Sequence, residues 1–114
     1  MTTSTTRPAA DLEAAATAIV ARYRSVPAHE TEAAVALLAL WTLDALDGGR
    51  ITPDDVSTLL TGVWVAVSDP PSGPDLSEHA HDLLEEGGWL HDEAIGEAPD
   101  RARLRALAHA VLSA

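Results

Sequence analysis

The stretch AHETEAAVALLALWTLDALDGG, residues 28–49, decides the fold of this chain. Between positions 33 and 46 all but two residues are apolar. A helix that is apolar on all sides is usually buried on most of them. Gly48 and Gly49 follow, and glycine accepts the left-handed conformation that ends a helix. The sequence therefore predicts a central, buried helix from Ala28 to Asp47.

Four further helices are predicted around this central one. Each segment carries apolar residues three or four positions apart, which is the spacing of one helix face. The clearest start is Thr52-Pro53, because threonine caps a helix well and proline fits its first position. We expect an all-α, compact bundle of about five helices, formed by residues 8–114 as a single domain. The four ranges are Ala9 to Arg24, Pro53 to Val67, Asp75 to Gly87, and Pro99 or Asp100 to Leu112.

Two Gly-Gly pairs, at 48–49 and 87–88, are predicted to be short connectors between helices. Each pair precedes two residues that suit an extended chain, Arg50-Ile51 in one case and Trp89-Leu90 in the other. A minor two-stranded element near Ile51 and Trp89-Leu90 is compatible with this arrangement, and the sequence leaves it open.

Two segments are predicted outside the helices. Residues 68–75 contain three of the seven prolines, and proline interrupts a helix because it lacks the N–H donor and clashes with the preceding turn. We expect a flexible loop there. Residues 1–7 are polar and lack the apolar core of a secretory signal, so we expect a disordered tail and a cytoplasmic protein. The longest apolar run has nine residues, well below the ~20 that span a bilayer, so no membrane association is expected.

Composition narrows the chemistry and the class of partner. The absence of cysteine excludes disulfides, thiolate metal sites and cysteine nucleophiles. Lys, Asn and Phe, whose codons are AT-rich, are also absent, which suggests a GC-rich bacterial genome. The net charge is −11, and residues 51–100 contain twelve acidic residues and no basic one. Such a surface repels phosphates, so direct nucleic-acid binding is not expected, whereas a basic protein partner is favoured.

Three arginines, Arg101, Arg103 and Arg105, stand near the predicted start of the last helix. Cations are unfavourable there because the helix dipole is positive at its N-terminal end. One explanation is that they pair with the acidic segment 51–100 inside the same fold. The other is that they pair across an interface with a second chain.

No motif in the sequence predicts a catalytic, cofactor or metal site, and we do not expect an enzyme. Zinc needs three or four ligands converging on one point. His79 and His81 are two residues apart, so on a helix they point in different directions. An alternative function nevertheless uses His79, His81 and His91 in a small-molecule or metal-binding site, or in a small enzyme.

A third alternative comes from two stretches that look like parts of a winged-helix domain. Residues 50–56 look like the strand and second-helix start of such a domain, and residues 83–90 like a third helix that enters a wing. However, the turn before that third helix would be much longer than usual, and the helix would be acidic. This alternative is a degenerate winged-helix regulator or a mimic of DNA.

The favoured prediction is a non-catalytic, acidic helical module for protein–protein interaction. Such a module acts as an inhibitor of the immunity or antitoxin type, or as a small subunit of an assembly, and binds a basic protein or a second copy of itself. Trp89 follows two glycines in a connector, where an exposed tryptophan suits an interface hot spot. The candidate interaction residues are Trp89, Asp82, Glu85, Glu86, Asp92, Glu93, Arg101, Arg103 and Arg105.

Overall fold

The computed structural model describes residues 9–68, 76–96 and 100–113, and every regular element in that part of the chain is helical. The predicted all-α bundle of about five helices is confirmed. Helices α1 to α5 span Ala9–Arg22, Ala28–Asp47, Pro53–Ser68, Glu78–Gly87 and Arg101–Ser113. Two short 3₁₀ helices span Tyr23–Ser25 and Leu90–Ile95.

Helix α2 has the predicted bounds and lies at the centre of the bundle, where it contacts all four other α-helices. Its inner side is fully buried, whereas Leu37 on the outer side remains 38% exposed. Leu37 is the one exposed residue between positions 33 and 46, so the expectation that this all-apolar helix is buried on most sides is confirmed. All five helices contribute fully or almost fully buried leucines to one continuous core, among them Leu12, Leu38, Leu60, Leu83 and Leu104.

Local capping explains where α3 and α4 begin. The backbone N–H of Thr52 donates to the Asp55 carboxylate (2.9 Å), and the Asp55 N–H donates to the Thr52 hydroxyl (3.2 Å). This reciprocal pair is a capping box. In α4 the hydroxyl of Ser77 accepts from the N–H of Ala80 (3.3 Å). The predicted start at Asp75 is therefore too early, because the cap that satisfies the first free N–H groups is Ser77.

The two-stranded element near Ile51 and Trp89-Leu90 is wrong for the described residues. Ile51 lies in a bend, and Leu90 begins a 3₁₀ helix. The Trp89 N–H donates to the Glu86 carbonyl (3.1 Å), so the chain continues to turn after α4 and does not extend. This 3₁₀ helix occupies the stretch where a winged-helix domain would enter its wing.

The two Gly-Gly pairs have different physical roles. Gly49 adopts a φ of +72°, the left-handed conformation that glycine tolerates best. Gly87 and Gly88 instead permit a close approach between α4 and α3. A Cβ at Gly87 would lie 2.2 Å from Cδ1 of Leu60, and one at Gly88 would lie 2.6 Å from Oγ1 of Thr61.

No helix within the described ranges is both long enough and apolar enough to cross a membrane. The predicted tail, residues 1–7, lies outside the described residues. So do residues 69–75 of the predicted flexible loop, whose first residue, Ser68, is the last residue of α3.

Candidate interaction surface

The three arginines of α5 have partners in their own chain. Arg101 donates through Nε and Nη2 to both carboxylate oxygens of Glu93, each at 2.6 Å, and through Nη1 to Asp47 at 2.7 Å. Arg105 donates to Asp44 at 2.9 Å and to Asp47 at 2.6 Å. These contacts tie the start of α5 to the end of α2 and to the second 3₁₀ helix.

This pairing resolves two electrostatic conflicts at once. Carboxylates are unfavourable at the C-terminal end of a helix, where Asp44 and Asp47 lie, and cations are unfavourable at the N-terminal end, where Arg101 and Arg105 lie. The packing of α2 against α5 brings the two misplaced sets together. Hydrogen bonds from Arg105 and then Arg101 lower the pKa of Asp47. Hydrogen bonds from Arg101 likewise lower the pKa of Glu93.

The remaining arginine, Arg103, forms a two-pronged pair with Glu86. Its Nε donates to one carboxylate oxygen at 2.6 Å and its Nη2 to the other at 3.0 Å. The pKa of Arg103 is raised, chiefly by Glu86 and to a smaller degree by Asp82 nearby. We call these arginines and their four carboxylate partners the arginine cluster, namely Arg101, Arg103, Arg105, Asp44, Asp47, Glu86 and Glu93.

The sequence missed two members of this cluster, Asp44 and Asp47. Both precede the acidic segment 51–100 that was expected to supply the partners. A signal was present, since two carboxylates in the last turn of one helix and three arginines in the first turns of another are opposite departures from dipole preference. Opposite departures of this kind favour contact between the two helix ends.

Trp89 lies on a different surface and is held in position although it is 54% exposed. Its ring stacks on the imidazole of His91, with ring centroids 5.9 Å apart and planes inclined by 29°. The backbone N–H of His91 donates to the hydroxyl of the buried Ser57 (2.7 Å). Nδ1 of His91 lies 3.2 Å from the same hydroxyl and 3.1 Å from the Gly88 carbonyl oxygen. Trp89 is therefore a large, water-exposed apolar side chain whose position is stabilised by its contact with His91.

A groove of about 310 Å³ opens beside Trp89, between α3 and the end of α4. Its floor includes the fully buried Leu84, and the half-buried Trp64 contributes from α3. The close approach at Gly87 and Gly88 brings α4 near enough to α3 to shape it. We call this the Trp89 groove, and its lining residues are Thr61, Trp64, Leu84, Glu85, Gly88, Trp89 and His91.

A row of carboxylates on α4 ends at this groove. Glu78, Asp82 and Glu85 follow one another on α4 at intervals of four and three residues, which places them on one helix face. Trp89, two residues beyond the end of α4, lines the groove together with Glu85. We call the three carboxylates the open face. In the part of the chain that the structure describes, no arginine pairs with Glu78 or Glu85. Asp82 is the member of the open face that also interacts electrostatically with Arg103 of the arginine cluster.

The predicted site residues thus separate into two groups. Glu86, Glu93 and the three arginines contact one another or α2, whereas Trp89 and Glu85 line the groove. Asp92 lies beside His91, with 3.3 Å between its carboxylate and Nε2 of the imidazole. It therefore adjoins the groove from the 3₁₀ helix.

The three histidines of the alternative prediction do not line one groove. His91 lines the Trp89 groove, whereas His79 and His81 are on α4 and do not line it. Within residues 9–68, 76–96 and 100–113, no three side chains of the kinds that hold metals form a group.

Two further apolar grooves involve α1, and the sequence did not single them out. One, about 250 Å³, lies between α1 and α2 and is lined by Leu37 and Trp41 among others. The other, about 510 Å³, lies between α1 and α3, and Val20, which is 39% exposed, is in its wall. Leu37 belongs to the apolar stretch 33–46 that was predicted to be buried, so the apolar pattern alone did not reveal its exposure.

Comparisons with known protein families, with curated proteins and with solved structures each gave no match to this chain.

Proposed function

We propose that this protein is a non-catalytic, acidic helical module that binds a basic protein partner through the Trp89 groove and the open face. The observation that carries the proposal is a half-exposed tryptophan, braced by His91, beside carboxylates that no arginine of the described chain neutralises. In a cytoplasmic setting such a module would act as an inhibitor of the immunity or antitoxin type, or as a small subunit of an assembly.

Two physical arguments support binding at this surface. Tryptophan is the residue type most enriched among interface hot spots, since burying its large ring contributes much of the binding energy. Uncompensated carboxylates around it raise the rate of encounter with a basic partner and select against acidic ones. The arginine cluster strengthens the second argument because its cations are already bound to other carboxylates.

The test is a selection of binding peptides from a displayed random library, made against the intact protein. We expect the selected peptides to be rich in arginine or lysine with an apolar neighbour, and to bind more weakly as salt rises. Trp89→Ala should abolish most of this binding. The matched control is Leu112→Ala, which removes a side chain of 39% exposure on α5 that does not line the groove.

Two results would contradict the proposal. The first is a set of selected peptides whose binding ignores both salt and Trp89→Ala. The second is a stable dimer that buries Trp89, detected by light scattering after size exclusion at low and high salt together with tryptophan fluorescence. We expect a monomer instead, because two copies of the open face carry the same charge and repel each other.

A further inference from the structure

We infer that the Trp89 groove binds an arginine side chain of the partner, with the guanidinium stacked on the indole of Trp89 and paired with the carboxylate of Glu85. This inference rests on the proposed function and specifies which chemical group the module recognises. It predicts a preference for arginine over lysine.

Trp89 offers the flat surface that a guanidinium needs. One side of the ring is supported by His91, and more than half of the side chain remains in contact with solvent. Cations are attracted to the face of an aromatic ring, most strongly to tryptophan. Because the guanidinium is planar and weakly hydrated, it stacks on an indole more readily than an ammonium group does.

Glu85 supplies the opposite charge in the same groove. Helix α4 ends at Gly87, but the Trp89 N–H donates to the Glu86 carbonyl at 3.1 Å, so the chain continues to turn and both Glu85 and Trp89 line the groove. The Glu85 side chain is exposed and pairs with no arginine of the described residues.

Glu86, the residue after Glu85, already forms the proposed type of carboxylate–guanidinium pair within the fold. Glu86 accepts two hydrogen bonds from one guanidinium, that of Arg103, at 2.6 and 3.0 Å. Such a fork-to-fork pair is specific to arginine, since an ammonium group cannot donate two parallel bonds from fixed positions. We expect a partner's arginine to approach Glu85 in the same way from the groove side.

The rest of the groove suits the aliphatic part of an arginine. The half-buried Trp64 provides apolar surface, and arginine buries its methylene stem along such surface while its charged end stays near water. The groove is also formed in advance. The link from His91 to the buried Ser57 fixes the stack behind Trp89, and a site that needs little ordering loses less free energy on binding.

The test uses three small probes with the same capped backbone, namely the N-acetyl amides of arginine, lysine and citrulline. Each is added to isotope-labelled protein at low salt, and chemical-shift changes are followed by NMR. We expect the arginine probe to shift the indole N–H of Trp89 and the amides of Glu85 and His91. Lysine should bind roughly threefold more weakly, because its ammonium group stacks less well on the indole than a guanidinium does. Citrulline, which is neutral, should cause no saturable shift.

Two variants and one control identify the residues responsible. Glu85→Gln should weaken the arginine probe roughly threefold or more, whereas Glu13→Gln, at an exposed glutamate of α1 that does not line the groove, should leave its affinity unchanged. Trp89→Ala should abolish the shifts. Circular dichroism checks that each variant remains folded, which we expect because all three side chains are exposed.

Equal affinities for arginine and lysine, or an arginine affinity that ignores Glu85→Gln, would overturn the inference. If the peptide selection still yields basic sequences sensitive to Trp89→Ala, the proposed function stands and only the preference for arginine fails. If the selection also fails, the proposed function fails with it.

Discussion

Glu85 and Glu86 are adjacent in sequence, yet they belong to two regions of the molecule with opposite electrostatics. Glu86 faces α5 and pairs with Arg103 in the arginine cluster, whereas Glu85 faces the Trp89 groove without a described cationic partner. Successive residues on a helix point about 100° apart, since 3.6 residues complete one turn. One acidic segment therefore supplies both an internally neutralised region and an uncompensated one.

The difference separates what stabilises the fold from what is available to a partner. In the arginine cluster, carboxylates and guanidinium groups offset each other and two helix dipoles. On the open face, carboxylates add to a net charge of −11, and self-repulsion of that kind disfavours the compact state. A cationic partner would remove this repulsion, which is why the uncompensated region is the better candidate for binding.

The largest expected effect concerns the contact that shapes the groove. Gly87→Ala places a methyl group where Cδ1 of Leu60 would be 2.2 Å away, and Leu60 is almost fully buried. Forcing an extra methyl into a packed core should lower the free energy of unfolding by about 2 kcal/mol. Urea denaturation measures the loss, and NMR of the Trp89 indole N–H reports whether the groove changes shape.

Gly62→Ala is the matched control for this substitution. Gly62 lies inside α3, and apart from its chain neighbours and the nearby backbone of its own helix no heavy atom is within 4 Å of the position that its Cβ would take. Alanine there should stabilise the protein by about 0.5–1 kcal/mol, because glycine is a poor helix former. Equal destabilisation by both variants would show that the close approach of α4 to α3 is not what matters at Gly87.

The next largest effect on stability is expected when two arginines of the arginine cluster are replaced. The double variant Arg101→Gln/Arg105→Gln leaves Asp44 and Asp47 unneutralised at the negative end of α2. We expect a loss of about 1 kcal/mol at neutral pH and low salt, a modest value because solvent screens these partly exposed pairs. The loss should shrink at high salt. An unchanged unfolding midpoint at low salt would contradict the stabilising role of the cluster.

For the same variant, the direction in which its loss of stability changes with pH follows from two lowered pKa values. The pKa values of Asp47 and Glu93 are lowered in the folded protein from ordinary values of 3.8 and 4.5. A lowered carboxyl pKa contributes stability above the ordinary value, and this is lost as the pH falls through the folded one. The stability gap between wild type and variant should therefore close as the medium is acidified below about pH 4. A gap that stays constant down to pH 2 would argue against these ion pairs.

The smallest effect on stability compares the adjacent glutamates directly. Glu86→Gln should reduce the thermal midpoint slightly, because the pair with the exposed Arg103 is screened by solvent. Glu85→Gln should leave the midpoint unchanged or raise it, since it removes an uncompensated charge. Peptide binding should respond in the opposite order, with Glu85→Gln causing the greater loss. Calorimetry and the peptides selected above provide both measurements.

Much of the fold was predictable because the deciding interactions are local. The bounds of α2 follow from its apolar run and its Gly-Gly end, and the start of α3 follows from Thr52 and Asp55, three residues apart. The predicted extended connector at Trp89-Leu90 was wrong. Its sequence favours a strand, but the N–H groups of Gly88 and Trp89 donate to the carbonyls of Leu84 and Glu86, and these hydrogen bonds continue the turn.

The candidate site was only partly predictable. Trp89 and Glu85 were identified from the sequence, and both line the groove. Its other walls, Thr61 and Trp64, belong to α3, and nothing in the sequence places that helix beside Trp89. The role of Gly87 and Gly88 in that contact was also hidden, because a glycine that avoids a clash and one that permits a left-handed turn look the same in a sequence.

The sequence by itself determined the helical class, the central helix, the cap of α3 and the excess of negative charge, since each depends on residues within a few positions of one another. Only the tertiary structure decided which carboxylates are neutralised. The partners of Arg101 and Arg105 on α2 are 54 to 61 residues away along the chain. Contacts over such distances depend on how whole helices pack, and that packing gave Glu86 an arginine and left Glu85 facing the groove.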